Sequence, residues 1–199
     1  IYQYADAIRS SGHLSAIAES KYYSAPFYHL LTVVSADTLG VTLRTGLYLT
    51  LGVVVPLATV LLYYATRQFL DVRWALFATA TVAIADHVVL WGIHLIPTSM
   101  GLVFFLGVFY GISKIYTTDR ELTMYAFVLA LGVATVLTHQ ISTFVLLLFL
   151  GVGAGTQLLF QYFFPRLRSG VTYEPDEHIN FIGLFVVVFP LTLLNWSLG

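Results

Sequence analysis

Residues 40–66 read GVTLRTGLYLTLGVVVPLATVLLYYAT, and this stretch decides the fold class. Arg44 is its only charged residue, and the rest are apolar or weakly polar. About 20 such residues in a helix cross the roughly 30 Å hydrocarbon core of a bilayer. The stretch therefore predicts a membrane-spanning helix, and the bilayer is the solvent in which the remaining sequence has to be interpreted.

The composition of the whole chain agrees with this interpretation. Of 199 residues, 58% are hydrophobic and only 10% are charged, the mean hydropathy is +0.85, and the formal net charge is −1. A soluble domain carries roughly 25% charged residues. A soluble enzyme, a disordered protein and a nucleic-acid-binding protein are therefore excluded. The absence of cysteine excludes disulfides and thiolate metal sites.

Five further apolar stretches meet or approach the length of a span, at about 74–96, 97–115, 122–138, 140–163 and 180–199. We therefore expect an all-α polytopic bundle of about six spans, with residues 40–199 as one transmembrane domain. Residues 1–39 differ, because apolar residues recur at near-helical spacing between charged ones, which predicts an outer amphipathic or re-entrant segment. The chain starts without methionine and ends on an apolar run, so we expect a piece of a longer protein.

The basic residues of the loops predict the orientation. Arginine and lysine flank or occupy every second connection, at 67–73, 114–121 and 164–178, and are missing from those between them. By the positive-inside rule these three connections lie in the cytoplasm, and residues 1–39, 84–99 and 138–142 lie outside. This pattern predicts a multi-pass protein of the cell membrane.

Polar residues gather on the outer side. At about 1.5 Å per helical residue, Asp86 lies roughly 20 Å from the inner boundary, and Arg44 and His139 lie at the outer interface. His94 falls in the same layer, and His29 belongs to the outer segment. An ionisable group in hydrocarbon costs at least about 2.5 kcal/mol, so it usually faces a cavity or a partner. We therefore predict a polar site that faces outside.

Each candidate residue keeps a structural alternative. Asp86 is either an acid in an outward cavity or a helix-terminal residue, solvated or paired with Arg44. Arg44 either grips a phosphate or snorkels to the interface. His139 either contacts phosphate or a substrate hydroxyl, or caps a helix C-terminus. Tyr22 and Tyr23 suit either sugar stacking or an interfacial aromatic belt.

Motifs of other enzyme classes are missing from the sequence. It has no glycine-rich phosphate loop, no Gly-x-Ser-x-Gly elbow and no His-Glu-x-x-His pair. Asp86 and His87, together with His94, are the candidates for a metal site, although no two histidines have the i, i+4 spacing of ligands on one helix face. A divalent metal is therefore only a candidate cofactor, and no metal ligand is assigned.

Three segments together suggest a family. They are YYSAPFYHLL at 22–31, IPTSM at 96–100, which opens a predicted span, and LTHQ at 137–140, which closes another. With the outer amphipathic segment and the short alternating spans, the chain resembles the GT-C superfamily of membrane glycosyltransferases. The likeness is to prokaryotic, especially archaeal, members related to dolichyl-phosphate-mannose protein mannosyltransferases and to the oligosaccharyltransferase catalytic subunit. It covers most of the chain, and it is architectural, with loose motifs.

The resemblance implies transfer of a sugar from a polyprenyl-phosphate donor to a glycan, lipid or protein acceptor outside the cell membrane. It implies a catalytic acid or orienting group, for which Asp86 is the candidate. It also implies residues that contact substrate or phosphate: Arg44, His139, Gln140, His94, Tyr22, Tyr23 and His29, the last three on the acceptor side. Oligosaccharyltransferase-like members carry acids before the span at 97–115, where this chain has none, which argues against a metal-dependent mechanism.

Two other functions remain open from the sequence. A transporter or flippase of a lipid-linked or polar substrate needs intramembrane charge at the midplane, reachable from both sides. A non-catalytic membrane scaffold subunit needs the polar layer only to anchor it among the membrane lipids at the interface.

Overall fold

A computed structural model describes residues 2–20, 22–115, 121–163 and 179–198, without the side chains of 87, 91–93, 163 and 198. These ranges are all-helical and contain no strand. The helices are α1 (Tyr2–Ser11), a 3-10 turn (Leu14–Ile17), α2 (Phe27–Leu39), α3 (Leu43–Thr66), α4 (Val72–Ala83), α5 (Asp86–His94), α6 (Pro97–Ile115), α7 (Glu121–Val136), α8 (Gln140–Leu158), continued by a π-helical turn (Leu159–Phe163), and α9 (Phe181–Leu198).

Three helical stretches are long and apolar enough to cross a membrane. They are α3, α6 and the stretch formed by α8 with the start of its π-helical turn, Gln140–Tyr162. The apolar segments within α4, α7 and α9 are shorter, at Val72–Ala83, Glu121–Val136 and Phe181–Ser197. The described part of the chain is thus all-helical, with three candidate membrane spans. The basic connection predicted at 164–178, and residues 116–120 of the one predicted at 114–121, lie outside the described residues.

The stretch predicted as one span at 74–96 is two helices. α4 has 12 residues, so it is only about 18 Å long. The chain then leaves the helix at Ile84, and the carbonyl of Ala85 accepts the first bonds of α5, from the amides of Val88 and Val89. Asp86 consequently occupies the first turn of a new helix, rather than a point inside a continuous one.

Helices α6, α7 and α8 pack side by side. Gly107 of α6 lies against Leu131 of α7, and Gly111 lies against Val128. As the α6 number rises the α7 number falls, so these two helices are antiparallel. Gly101 faces Ser142 near the start of α8, and Phe109 further along α6 contacts Phe149. Helices α6 and α8 are therefore parallel, and both begin at the end of the bundle where α7 finishes.

Helix α9 begins at the opposite end of the bundle, near the end of α8. Its first residue, Phe181, packs on Gly153 of α8, and the Asn180 amide donates to the Tyr125 hydroxyl of α7 at 2.7 Å. Two small residues of α8 allow close packing at this contact. Gly151 and Gly153 both lie against phenylalanines of α9, whereas nothing lies within 4 Å of the Cβ position at Gly155.

Residues 2–39 form a cap on α3. Its own small core comprises Ala5, Ile8, Ile17 and Val33. Arg9 forms an ion pair with Asp37 of α2, with 2.8 Å between nitrogen and oxygen. α2 begins directly after Pro26, and proline is a residue that suits the start of a helix. The cap lies tightly on α3, because a Cβ at Gly46 would come within 2.9 Å of the Ala36 backbone.

Candidate functional site

The three segments that the sequence analysis singled out meet at one end of the bundle. The Phe27 amide at the start of α2 donates to the carbonyl of Leu137, at 3.0 Å. The hydroxyl of Tyr28, whose side chain is fully buried, donates to the carbonyl of Leu95. Thr98 of α6 in turn contacts His139. Segments that lie far apart along the chain, with the bonds of Tyr28 and Thr98 joining residues 67 and 41 apart, are thus in direct contact at the end where α6 and α8 begin.

His139 is the centre of these contacts. Its backbone is extended (φ −160°, ψ 124°), and its side chain caps the N-terminus of α8 by accepting from the Ser142 amide through Nδ1, at 3.4 Å. An accepting Nδ1 carries no proton, so in the neutral ring Nε2 does, and it lies 3.2 Å from Oγ1 of Thr98. The alternative in which His139 caps a helix C-terminus is wrong, because the residue begins α8 instead of ending α7.

A glycine permits the close approach of α6 and α8 at this point. A Cβ at Gly101 would lie 2.1 Å from Oγ of Ser142 and 3.6 Å from Cβ of His139. On the other side of the first turn of α6, Oγ of Ser99 accepts from the Ile96 amide at 3.1 Å. The N-termini of two long helices are therefore side by side, and each carries the positive end of its helix dipole.

Gln140 lies at the same place. It is the first residue of α8, and its side chain is exposed. The positive ends of two helix dipoles, an imidazole and an exposed amide together suit an anion such as a phosphate.

Asp86 and Arg44 lie apart from these contacts. Asp86 is exposed in the first turn of α5. Arg44 is exposed in the first turn of α3, with its guanidinium carbon 6.0 Å from the ring centre of Tyr48. Within the described ranges, the alternative that pairs the two is not realised, since the ion pair found there joins Arg9 to Asp37.

The candidates for a metal site are dispersed as well. His94 is exposed, and its Nδ1 lies 2.8 Å from the carbonyl of Leu90 in its own helix. The side chain of His87 lies outside the described residues. Among the residues whose side chains are described, no three of histidine, aspartate and glutamate come close enough to hold a metal ion.

Two of the acceptor-side candidates, Tyr22 and His29, lie in an aromatic cluster. The ring of His29 is fully buried and lies edge-on to Tyr4, Tyr22 and Tyr28, with centroids 5.1–5.7 Å apart. Neither ring nitrogen has a hydrogen-bond partner among the described residues, and burial lowers the pKa of His29 to about 4. Tyr22 is half-buried, and Tyr23 is 42% exposed. His29 therefore has no surface that a ligand can reach, and Tyr22 and Tyr23 supply the accessible surface.

Sequence reasoning missed several residues of this region. Ser142 and Gly101 carried no signal on their own, because small residues are common in packed membrane helices. Thr98 was quoted only as part of the segment that opens α6. Tyr4 was read as one apolar position of an amphipathic helix. Only the packing of distant helices gives these residues a role.

Comparison of the chain with known proteins identifies no relative: no family model matches it, and neither does any curated protein or solved structure.

Proposed function

We propose that this protein is a membrane glycosyltransferase of the GT-C type, which transfers a sugar from a polyprenyl-phosphate donor to an acceptor outside the cell membrane. The observation that supports the proposal is the contact between Thr98 and His139, because it joins two segments on which the resemblance rests. The third segment joins them through the bond from Phe27 to Leu137.

The donor phosphate fits the end of the bundle where α6 and α8 begin. The polyprenyl tail is soluble only in the bilayer, and α6 and α8 are two of the three helices that qualify as spans. A phosphate at their N-termini would accept from Nε2–H of His139 and gain from both helix dipoles. Gln140 supplies a further donor from its exposed position at the start of α8, whereas Arg44, in the first turn of α3, lies apart from these contacts.

In the transfer step, the acceptor oxygen forms a bond to the anomeric carbon of the donor sugar. The bond from that carbon to the phosphate oxygen breaks, and polyprenyl phosphate leaves with the electron pair. The acceptor proton passes to a carboxylate, and the exposed Asp86 is the candidate. The six-span topology and the outward orientation inferred from the loop charges belong to this proposal.

The distribution of polar residues favours a transferase over a transporter. The charged residues of the three span-length helices are Arg44, second in α3, and Lys114, next to last in α6. Their buried polar side chains also lie near helix ends: Ser99, Ser113, Ser142 and Thr143. A transporter binds its substrate near the bilayer midplane, where the buried faces of these helices are apolar.

The test is donor turnover by the purified full chain in lipid nanodiscs. Polyprenyl phosphates carrying radiolabelled mannose or glucose serve as donors, and release of polyprenyl phosphate is followed with and without an oligosaccharide acceptor. We expect Asp86→Asn to lower the rate by about 100-fold or more, the usual worth of a general base. His139→Ala should raise the KM for donor, and His139→Asn, which keeps a helix-capping side chain, separates phosphate contact from capping.

The matched control is His13→Ala, which removes an exposed histidine from the cap. It should turn over donor at the wild-type rate. Wild-type turnover in Asp86→Asn, His139→Ala and His139→Asn would overturn the site assignment. Absence of turnover by the wild-type chain with every donor would overturn the proposed function itself.

A further inference from the structure

We propose that the cavity between α1 and residues 15–20 binds a neutral saccharide, and that it is the acceptor site of the transferase. The acceptor role rests on the proposed function, whereas saccharide binding does not. The cavity has a volume of about 550 Å³ and is lined by Tyr4 and by residues 15–20. This volume lies within the range of about 300–1,000 Å³ that is usual for small-molecule sites.

The lining groups have the chemistry that a sugar requires. Tyr4 presents an aromatic ring, and Ser15, Ser20 and Glu19 present two hydroxyls and a carboxylate. Within the described part of the chain, the side chains of Ser15 and Glu19 make no hydrogen bond, and Ser20 accepts one from the Tyr22 amide at 3.3 Å. Hydroxyls and a carboxylate can accept from, and in part donate to, sugar hydroxyls.

The charge of the cavity selects against anionic ligands. Among the described residues that line it, Glu19 is charged, and it is exposed. A phosphate or a sugar acid would face this carboxylate at close range, which disfavours its binding. The described lining therefore favours an uncharged, hydroxyl-rich molecule, distinct from the phosphate that suits the N-termini of α6 and α8.

Two neighbouring rings fix the position of the Tyr4 ring. It packs on Tyr22 with centroids 5.2 Å apart, and on the buried His29 at 5.7 Å. A neutral His29 supports both rings without placing a charge beneath them. Since an aromatic side chain that is already fixed loses little entropy on binding, Tyr4 is a preorganised platform for one face of a sugar.

A chain of contacts connects this cavity with His139. Tyr4 contacts His29, and the neighbouring Tyr28 donates from its hydroxyl to the Leu95 carbonyl. Three residues further on, Thr98 contacts His139. The cap that holds the cavity thus contacts the same end of the bundle as the proposed phosphate site.

Saccharide binding is tested with the full chain in nanodiscs by saturation-transfer NMR titration. The probes are α-1,2-mannobiose, maltose and N,N′-diacetylchitobiose, with choline as a cationic comparison. We expect at least one disaccharide to bind, and Tyr4→Ala to weaken its affinity about tenfold through loss of the aromatic face. Glu19→Gln, at an exposed position, should weaken it by a similar factor through loss of a charged acceptor.

Tyr2→Ala is the matched control, because it removes an exposed ring from the same helix outside the cavity lining. It should bind as the wild type does. If Tyr4→Ala fails to fold, saccharide binding by Glu19→Gln and Tyr4→Phe tests the site instead. Tyr4→Phe should bind with an affinity within about twofold of the wild type, since it keeps the ring.

The outcomes separate the two proposals. Donor turnover without binding of any of the three saccharides, or a preference for choline, overturns the saccharide site and leaves the proposed function standing. Saccharide binding that depends on Tyr4 and Glu19, without donor turnover, overturns the acceptor role. Binding that survives both substitutions also overturns the site.

Discussion

Gly101→Ala tests the close approach of α6 and α8 at the candidate site. The new methyl group would lie 2.1 Å from Oγ and 2.6 Å from Cβ of Ser142, so the helices must separate. Overpacking of this kind costs about 1–3 kcal/mol. Replacing a helical glycine by alanine stabilises the helix by about 1 kcal/mol. The net destabilisation is about 1 kcal/mol, which lowers Tm by about 2–4 °C for a chain of this size.

Gly155→Ala is the matched control, since nothing lies within 4 Å of its Cβ position in α8. This substitution should increase the free energy of unfolding by about 1 kcal/mol and raise Tm by about 2–4 °C. Thermal unfolding followed by tryptophan fluorescence in detergent measures both variants. The double substitution Gly101→Ala with Ser142→Gly removes the clashing atoms and should recover the wild-type Tm. Equal shifts in the two alanine variants, or no rescue, would refute the close approach.

Three further predictions concern the cap and the two ends of the bundle. Tyr28→Phe removes the bond to Leu95 and should cost about 1–3 kcal/mol, seen as a lower Tm, because a buried carbonyl loses its donor. The pKa of His29 is about 4 in the folded protein, below its ordinary value of about 6.5, so the unfolded chain binds more protons between these values. Stability should therefore fall as pH is lowered from about 6.5 to 4, by at most about 3 kcal/mol, and Tm measured against pH should lose this component in His29→Phe. The predicted orientation places residue 140 outside and residue 121 in the cytoplasm. Since the chain has no cysteine, Gln140→Cys and Glu121→Cys each carry a single thiol. An impermeant maleimide on intact cells should therefore label Gln140→Cys and spare Glu121→Cys.

Apolar length and composition predicted the all-helical fold, because each transmembrane segment must satisfy its backbone hydrogen bonds internally. The break between α4 and α5 escaped prediction, since Ile84 and Ala85 are neither glycine nor proline. The available signal was Asp86, as an aspartate favours the first turn of a helix through its interaction with the dipole.

The candidate site was only partly predictable. His139 was identified from its polarity in an apolar context, but its role as an N-cap depends on where α8 begins, which the apolar run alone does not locate. The pairing of His139 with Thr98 joins residues 41 apart, and that of Tyr28 with Leu95 joins residues 67 apart. No local pattern encodes such pairings, because they follow from how the helices pack.

The proposed site for the phosphate of a polyprenyl lipid comprises the N-termini of α6 and α8, with His139 between Thr98 and Ser142. Photocrosslinking measures this contact, with a polyprenyl phosphate that carries a diazirine beside the phosphate and with the uncharged polyprenol as comparison. We expect adducts at residues 96–100 and 137–142 that require the phosphate and diminish in His139→Ala. Adducts at residues 121–125 and 179–182, or equal labelling by the polyprenol, would rule this site out.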